Sequence, residues 1–224
     1  MTYHCKAFGL AAAAAMMGLS AGAASAAVID FDALDASSGQ TVPLTSFSED
    51  GYTFSLTFTP GGLGPAIFDT NCSGAACNGD EDLVPSSQGD NGIAGNVLIL
   101  QEDADGALVP NDEADGGTII FTLDAGNPFY LTGFSAIDDE DFSVIASDGT
   151  TTLGSISLAN ENETDSTTFK SSLINVGDTF TFDYEGSGGI DSVTLQAVPL
   201  PAAGWLMLAG FGGLAALRRR KRAA

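Results

Sequence analysis

Between Ala27 and Val198 the sequence has no arginine, no histidine and no tryptophan, and its one lysine is Lys170. Each absence closes a class of function. With no histidine, neither a Ser-His-Asp nor a Cys-His catalytic set can be assembled there, and a glycine-rich phosphate loop would lack its lysine. Two cysteines, Cys72 and Cys77, are too few to hold zinc without further Cys or His ligands. With almost no Lys or Arg to neutralise phosphate, nucleic acid and anionic lipid are excluded as partners of this stretch.

Acid is what the stretch has in quantity. All 29 Asp and Glu of the chain fall between Asp30 and Asp191 against the single Lys170, a net charge of −28. Such a surface stays soluble in salt and attracts cations. At roughly 170 residues it amounts to one domain with room for a real core.

The two ends are apolar instead. Residues 1–27 carry His4 and Lys6, an apolar run over 7–19, and small residues ending in Ala24-Ser25-Ala26-Ala27. This is the pattern of a secretory signal peptide cut by signal peptidase after Ala26 or Ala27; the alternative is an uncleaved N-terminal anchor. At the other end, residues 202–217 contain no charge and are followed by Arg218-Arg219-Arg220-Lys221-Arg222. With Val198 to Pro201 the uncharged run reaches the ~20 residues a helix needs to span hydrocarbon, and the basic cluster holds the C-terminus in the cytoplasm. Pro199 and Pro201 keep the segment before the span extended. A permanent single-pass anchor and a processing signal are both compatible with these features.

The order Val198-Pro199-Leu200-Pro201-Ala202, a short Gly/Ala/Leu-rich span and a terminal Arg/Lys cluster resembles the PEP-CTERM family of bacterial sorting signals, in its VPLPA-CTERM variant. That resemblance implies cleavage near the proline motif by a membrane-embedded cysteine protease of the exosortase type, and passage of the ectodomain to the cell surface or matrix. The stretches 95–102, 116–121 and 131–138 are similar to other ectodomains of that family, which implies an extracellular β-domain associated with exopolysaccharide. The organisation expected is a signal peptide over 1–27, an ectodomain over 28–197 and a sorting signal with transmembrane helix over 198–224.

The ectodomain has strand periodicity. Tyr52-Thr53-Phe54-Ser55-Leu56-Thr57-Phe58-Thr59 alternates large apolar side chains with hydroxyls, and Thr179-Phe180-Thr181-Phe182-Asp183-Tyr184 repeats the pattern. Further strands are expected over 28–31, 96–101, 118–123, 130–137, 142–146, 152–158, 167–174 and 190–197. Turn signals such as Asp148-Gly149 and Gly126-Asn127-Pro128 separate them. Some ten short strands with no helical period predict an all-β antiparallel sandwich, jelly-roll-like. Residues 60–95 are rich in Gly, Asn and Asp and are expected to form a long excursion. A Cys72–Cys77 disulfide would close a short loop within it, worth about 2 kcal/mol.

Candidate chemistry lies among carboxylates. Four clusters stand out: Asp80-Glu81-Asp82, Glu102-Asp103-Ala104-Asp105, Asp112-Glu113-Ala114-Asp115 and Asp138-Asp139-Glu140-Asp141. Calcium takes six to eight oxygens in flexible geometry, and residues 101–112 follow an EF-loop layout with Asp103, Asp105 and Asp112 at ligand places and Gly106 at the glycine place. Asp80, Asp82, Asp138 and Asp139 are further ligands if the loops converge; the alternative is a set of solvated acidic loops. Two functions compete. One is a non-catalytic structural or carbohydrate-binding module, with Tyr52, Tyr130, Tyr184 or Phe68 as the aromatic platform. The other is a carboxylate-pair glycan hydrolase, which would show a cleft with a desolvated Glu facing a second carboxylate.

Overall fold

The computed structural model describes residues 26–35, 42–59, 63–72, 83, 95–102, 111, 115–138, 143–158 and 163–198. Thirteen strands lie among them: β1 (Ala26–Ile29), β2 (Ser46–Glu49), β3 (Tyr52–Phe58), β4 (Gly64–Asp69), β5 (Asn96–Gln101), β6 (Gly117–Ala125), β7 (Phe129–Asp138), β8 (Ser143–Ser147), β9 (Thr152–Ser157), β10 (Glu163–Thr168), β11 (Leu173–Ile174), β12 (Thr179–Glu185) and β13 (Gly189–Ala197). Sheet A has the order β10-β7-β13-β5-β4, with β1 also paired to β13 and β11 to β7. Sheet B has the order β2-β3-β6-β12-β8-β9. The pairings are antiparallel in both, for example β3 with β6 and β13 with β7.

Alternation along the strands becomes burial between the sheets. Tyr52, Phe54 and Leu56 of β3, Ile119, Phe121 and Leu123 of β6, and Phe180, Phe182 and Tyr184 of β12 all point into one core with Leu131, Phe134, Val193 and Leu195 of sheet A. Phe180 sits at its centre, with ring centroids 4.8 Å from Phe121 and 5.9 Å from both Phe54 and Phe182. Each fully buried Phe is worth about 1.5–3 kcal/mol, and each ring pair adds about 0.5–1.5 kcal/mol. The Tyr184 hydroxyl reaches across from sheet B and donates to the Leu98 carbonyl at 3.0 Å. The result is a β-sandwich.

Turn chemistry sets the register. Asp50 and Gly51, with φ of 48° and 82°, form the two-residue connection between β2 and β3, where Glu49 pairs with Tyr52. Positive φ at both central positions matches the twist of a hairpin, and Asp-Gly adopts it most readily.

Three expectations need correction. The stretch 60–95 is not wholly an excursion, because residues 64–69 form β4, paired with β5 from Gly64↔Gln101 to Asp69↔Asn96. Pro65 and Gly64 mask the strand in the sequence, yet at a sheet edge a missing N–H costs nothing. The single strand expected over 167–174 is two, β10 and β11, which share one edge of β7. Phe68 is not a loop aromatic: it is 1% exposed.

Phe68 belongs to a second, smaller core on the outer face of sheet A. There Ala66, Phe68, Val97, Ile99 and Ile137 pack beneath Leu83, with Cys72 against them. Strands β4 and β5 are therefore apolar on both faces, which explains their unbroken apolar runs. Cys72 is disulfide-bonded; Cys77, its expected partner, lies outside the described residues.

Candidate functional site

The site begins with two irregularities in the central pair of sheet A. Along β7 and β13 the partners run Ile190↔Ala136 then Ser192↔Ser135, and Thr194↔Gly133 then Leu195↔Leu131, so Asp191 and Thr132 are bulged out of register. A bulge re-aims the side chains that follow it. Here Leu131 and Phe134 both reach the core, as do Ile190 and Val193. Thr132, Ser135, Ser192 and Thr194 line the opposite face.

That face is a groove of about 540 Å³, lined by Ala26, Thr132, Gly133, Phe134, Ser135, Ser166, Thr167, Thr168, Phe169, Ser192, Thr194 and Gln196. Seven of these twelve are Ser or Thr; Thr167, opposite the core residue Phe134, turns its side chain toward sheet B, and the other six offer rotatable groups that both donate and accept. Rows of side chains follow the register: Ser166, Ser135 and Ser192, then Thr168, Gly133 and Thr194. A Cβ at Gly133 would lie 2.5 Å from the Thr167 carbonyl, so glycine there lets β10 close on β7 and leaves the floor bare. From Ser192 to Gln196 the strand rises about 13 Å, the reach of a short oligosaccharide.

Each end of the groove has its own chemistry. At one end Ser135 Oγ donates to Asp191 Oδ2 at 2.6 Å and lies 2.6 Å from Ser192 Oγ. Burial raises the pKa of Asp191, against the pull of these two hydroxyls, and Asp32 and Asp30 raise it further by repulsion. At the other end Tyr130 pairs with Gln196, and Lys170, next to the lining residue Phe169, places its Nζ 4.3 Å from the centroid of the Tyr130 ring. Of the aromatic platforms expected, Tyr52, Tyr184 and Phe68 are buried; Tyr130 is half-buried and stands beside the lining residue Gln196 without itself lining the groove.

Beside the Asp191 end stands a carboxylate corner that no sequence motif announces. Glu49 accepts from the backbone N–H groups of Asp30 at 3.2 Å and Phe31 at 3.3 Å, and Asp32 accepts from the N–H of Asn96 at 2.7 Å. Glu49 is pushed up to about 7, first by burial and then by a hydrogen bond shared with the Asp30 carboxyl. These carboxylates hold the backbone where β1 leaves the sheet and Phe31 adopts a φ of 62°. None of Asp30, Asp32 or Glu49 lines the groove. Glu49 and Asp30 share a hydrogen bond, closer than the roughly 5–9.5 Å that separates working carboxylates in glycoside hydrolysis.

The residues expected to carry function are placed as follows. Asp80, Asp82, Asp103, Asp105, Asp112 and Asp139 lie outside the described residues, and Asp138 ends β7 opposite Glu163. Among the described residues no three Asp, Glu, His or Cys are grouped as a metal requires. Ala26 and Ala27 form the first half of β1, opposite Gln196 and Leu195. Val198 donates its N–H to the Pro128 carbonyl at 3.1 Å, while Pro199, Leu200, Pro201 and Ala202 lie outside the described residues. Among those described, no helix is long and apolar enough to cross a membrane.

No protein-family model and no curated protein matches the chain. Among solved structures it is similar to a family 6 carbohydrate-binding module, at 18% identity over 59% of this chain and 94% of that one, with a TM-score of 0.29. It is similar also to TmCBM61 in complex with β-1,4-galactotriose, at 11% identity over 73% and 97% with a TM-score of 0.33. A third likeness is to the enzymatically active domain of bacteriophage CBA120 tailspike protein 4, at 14% identity over 75% and 22% with a TM-score of 0.30. Values this low leave the function to be read from the groove itself.

Proposed function

We propose that the chain is an exported, surface-sorted, non-catalytic protein whose jelly-roll-like sandwich binds extracellular polysaccharide through the groove on sheet A. The observation that carries this reading is the lining, six hydroxyl side chains and Gln196 on one open sheet face. Sugar hydroxyls pair with groups that donate and accept alike, and a pre-formed strand face binds without first being ordered. Exchange of water for sugar on such a surface yields modest affinity, which suits a matrix protein holding many weak sites at once.

Catalysis is the weaker reading. Glu49 meets the requirement for a desolvated Glu beside a second carboxylate, and that alone keeps a glycan hydrolase in view. Yet its oxygens are tied to two backbone N–H groups and the Asp30 carboxyl, and it does not line the groove. Glycans incubated with the protein should gain no new reducing ends; their appearance, and loss in Glu49→Gln, would establish the hydrolase instead.

Export and sorting rest on the ends of the chain. The first strand and the last lie side by side, Ala26 opposite Gln196, so the signal peptide and the tail attach at neighbouring points. A protease needs its substrate extended and unpaired, so a cut at Ala26 or Ala27 precedes the docking of β1 and leaves Val28 and Ile29 to pair with Thr194 and Val193. Exosortase-type processing near Pro199 to Ala202 would then release the membrane helix. Mass spectrometry of the protein recovered from cells should find no Trp205, and a retained Trp205 means a permanent anchor. Calcium held by Asp103, Asp105 and Asp112 is part of the same proposal. Thermal melts should rise in calcium and not in sodium of equal ionic strength.

The groove is tested by affinity electrophoresis of the full chain in gels containing extracellular polysaccharide. The variant Ser192→Ala/Thr194→Ala/Gln196→Ala should lose about tenfold or more in affinity, the worth of two or three hydrogen bonds. Retention equal to the parent protein would remove the groove from the function.

A further inference from the structure

Lys170 is the one basic residue between Ala27 and Val198, in a stretch with 29 acids, and its ammonium rests on the Tyr130 ring at 4.3 Å. Its place in the sheet sets it apart from Glu102 and Asp138. Gly189 pairs with both Ile99 and Ile137, so β5 and β7 finish at a common end, where Glu102 and Asp138 stand. Tyr130 stands eight residues back along β7 from Asp138, about 26 Å at the rise of a strand. This is some three Debye lengths at physiological salt. Among the described residues, Asp148 and Asp191 are held by hydroxyl and amide groups and not by Lys170: Asp148 accepts from Thr150, Thr151 and Ser172, and Asp191 accepts from Ser135.

On this basis we infer that the Lys170 end of the groove recognises an anionic substituent, a carboxylate or sulfate ester, on the bound polysaccharide. The inference rests on the groove reading and adds the class of sugar. An exposed ammonium on a half-buried ring keeps its donors free on the side away from the ring, and carboxylate and sulfate oxygens are their natural acceptors. The hydroxyl row then pairs with the neutral part of the chain, and the sugar is oriented, its charged group toward Gln196 and away from Asp191. Tyr130 acts as a positioning residue, holding a four-carbon side chain that would otherwise sweep a wide arc. The remaining negative surface disfavours a polyanion charged at every ring, so sparsely charged glycans are the better ligands.

The experiment compares oligosaccharides from highly methyl-esterified pectin, glucuronoxylan and singly sulfated carrageenan with their carboxyl-reduced or desulfated forms, by calorimetry on the full chain in detergent. The parent protein should bind an acidic form about threefold to fivefold more tightly than its neutral counterpart, the range of an exposed ion pair. Lys170→Gln should level the two, Lys170→Arg should keep the preference, and high salt should erase it. Carboxyl-reduced and desulfated pairs separate the two sources of charge. Equal binding of charged and neutral forms, or a preference that survives Lys170→Gln, overturns the inference while the groove reading stands. Binding of no form, neutral glucans, galactans and mannans included, removes both.

Discussion

The outer face of sheet A is two surfaces on one set of strands. Toward the end of β7 the face is apolar, Val97, Ile99 and Ile137, and is roofed by Leu83 and Cys72. Toward its start the face is Ser135, Gly133 and Thr132 beside Ser192 and Thr194, and it is open. Strands β7 and β13 run through both halves, so backbone pairing does not distinguish them. The difference lies in what stands above: apolar side chains gain about 25 cal/mol per Å² on being covered, whereas hydroxyls gain little by losing water. Antiparallel sheets commonly leave one face polar and solvated, and this open half is the one we assign to polysaccharide.

The comparison breaks most visibly if the roof is removed. Leu83→Ala should cost about 3 kcal/mol and lower the melting temperature by about 6–12 °C, read by differential scanning calorimetry. Polysaccharide affinity measured well below the melt should stay as it was. An unchanged melting temperature would mean that Leu83 covers nothing that matters.

A smaller loss is expected at Asp148, which clamps the β8–β9 turn of sheet B to Ser172 beside β11 of sheet A. Its carboxyl is held well below the usual range, chiefly by the Thr150 hydroxyl and then by Ser172. The stability it supplies is present above the ordinary carboxylate pKa and is lost as pH falls below about 4. Asp148→Ala should therefore cost about 1–2 kcal/mol near neutrality, after allowance for exposure. The deficit should shrink in acid melts, and a deficit constant with pH would assign the loss to packing.

Glu49 should tilt stability the other way. Its pKa is raised from 4.5 to about 7, so its contribution is present below 4.5 and is lost as pH rises through 7. Between pH 5 and pH 8 the melting temperature should fall by about 2–4 °C, the effect of roughly 1 kcal/mol once solvent screening is allowed for. Glu49→Gln should flatten that slope, and a slope unaltered in the variant would place the proton elsewhere. Least effect on stability belongs to Thr194→Val in the groove, under about 0.5 kcal/mol, with a measurable loss of polysaccharide binding. A substitution that lowers stability and spares binding would reverse the contrast between the two halves.

Much of this was legible in the residues. The two-residue period of β3 and β12 is visible because the core side chains are large and their neighbours are hydroxyls, and β5 was bounded at 96 and 101 as found. Residues 64–69 were not legible, since a strand buried on both faces has no alternation and Gly64-Pro65 reads as a turn. The groove escaped as well. Serine and threonine on strands are ordinary, and nothing local distinguishes those that line a cavity from those that face water. Acid clusters drew attention by density, while Glu49, whose pKa burial raises to about 7, has only Asp50 beside it in its hairpin.

By itself the sequence determined the all-β character, the turn positions and the −28 charge against a lone lysine, because each is a property of neighbouring residues. Only the tertiary structure decided the site. Thr132 and Asp191 are bulges by virtue of pairing across some sixty residues of chain, Thr194↔Gly133 and Ile190↔Ala136, and no local rule assigns a bulge to one strand of a pair not yet formed. Lys170 reaches Tyr130, and Glu49 reaches Asp30, for the same reason: register between distant strands is chosen by the summed burial of the whole core, and a side chain's neighbours follow from that choice.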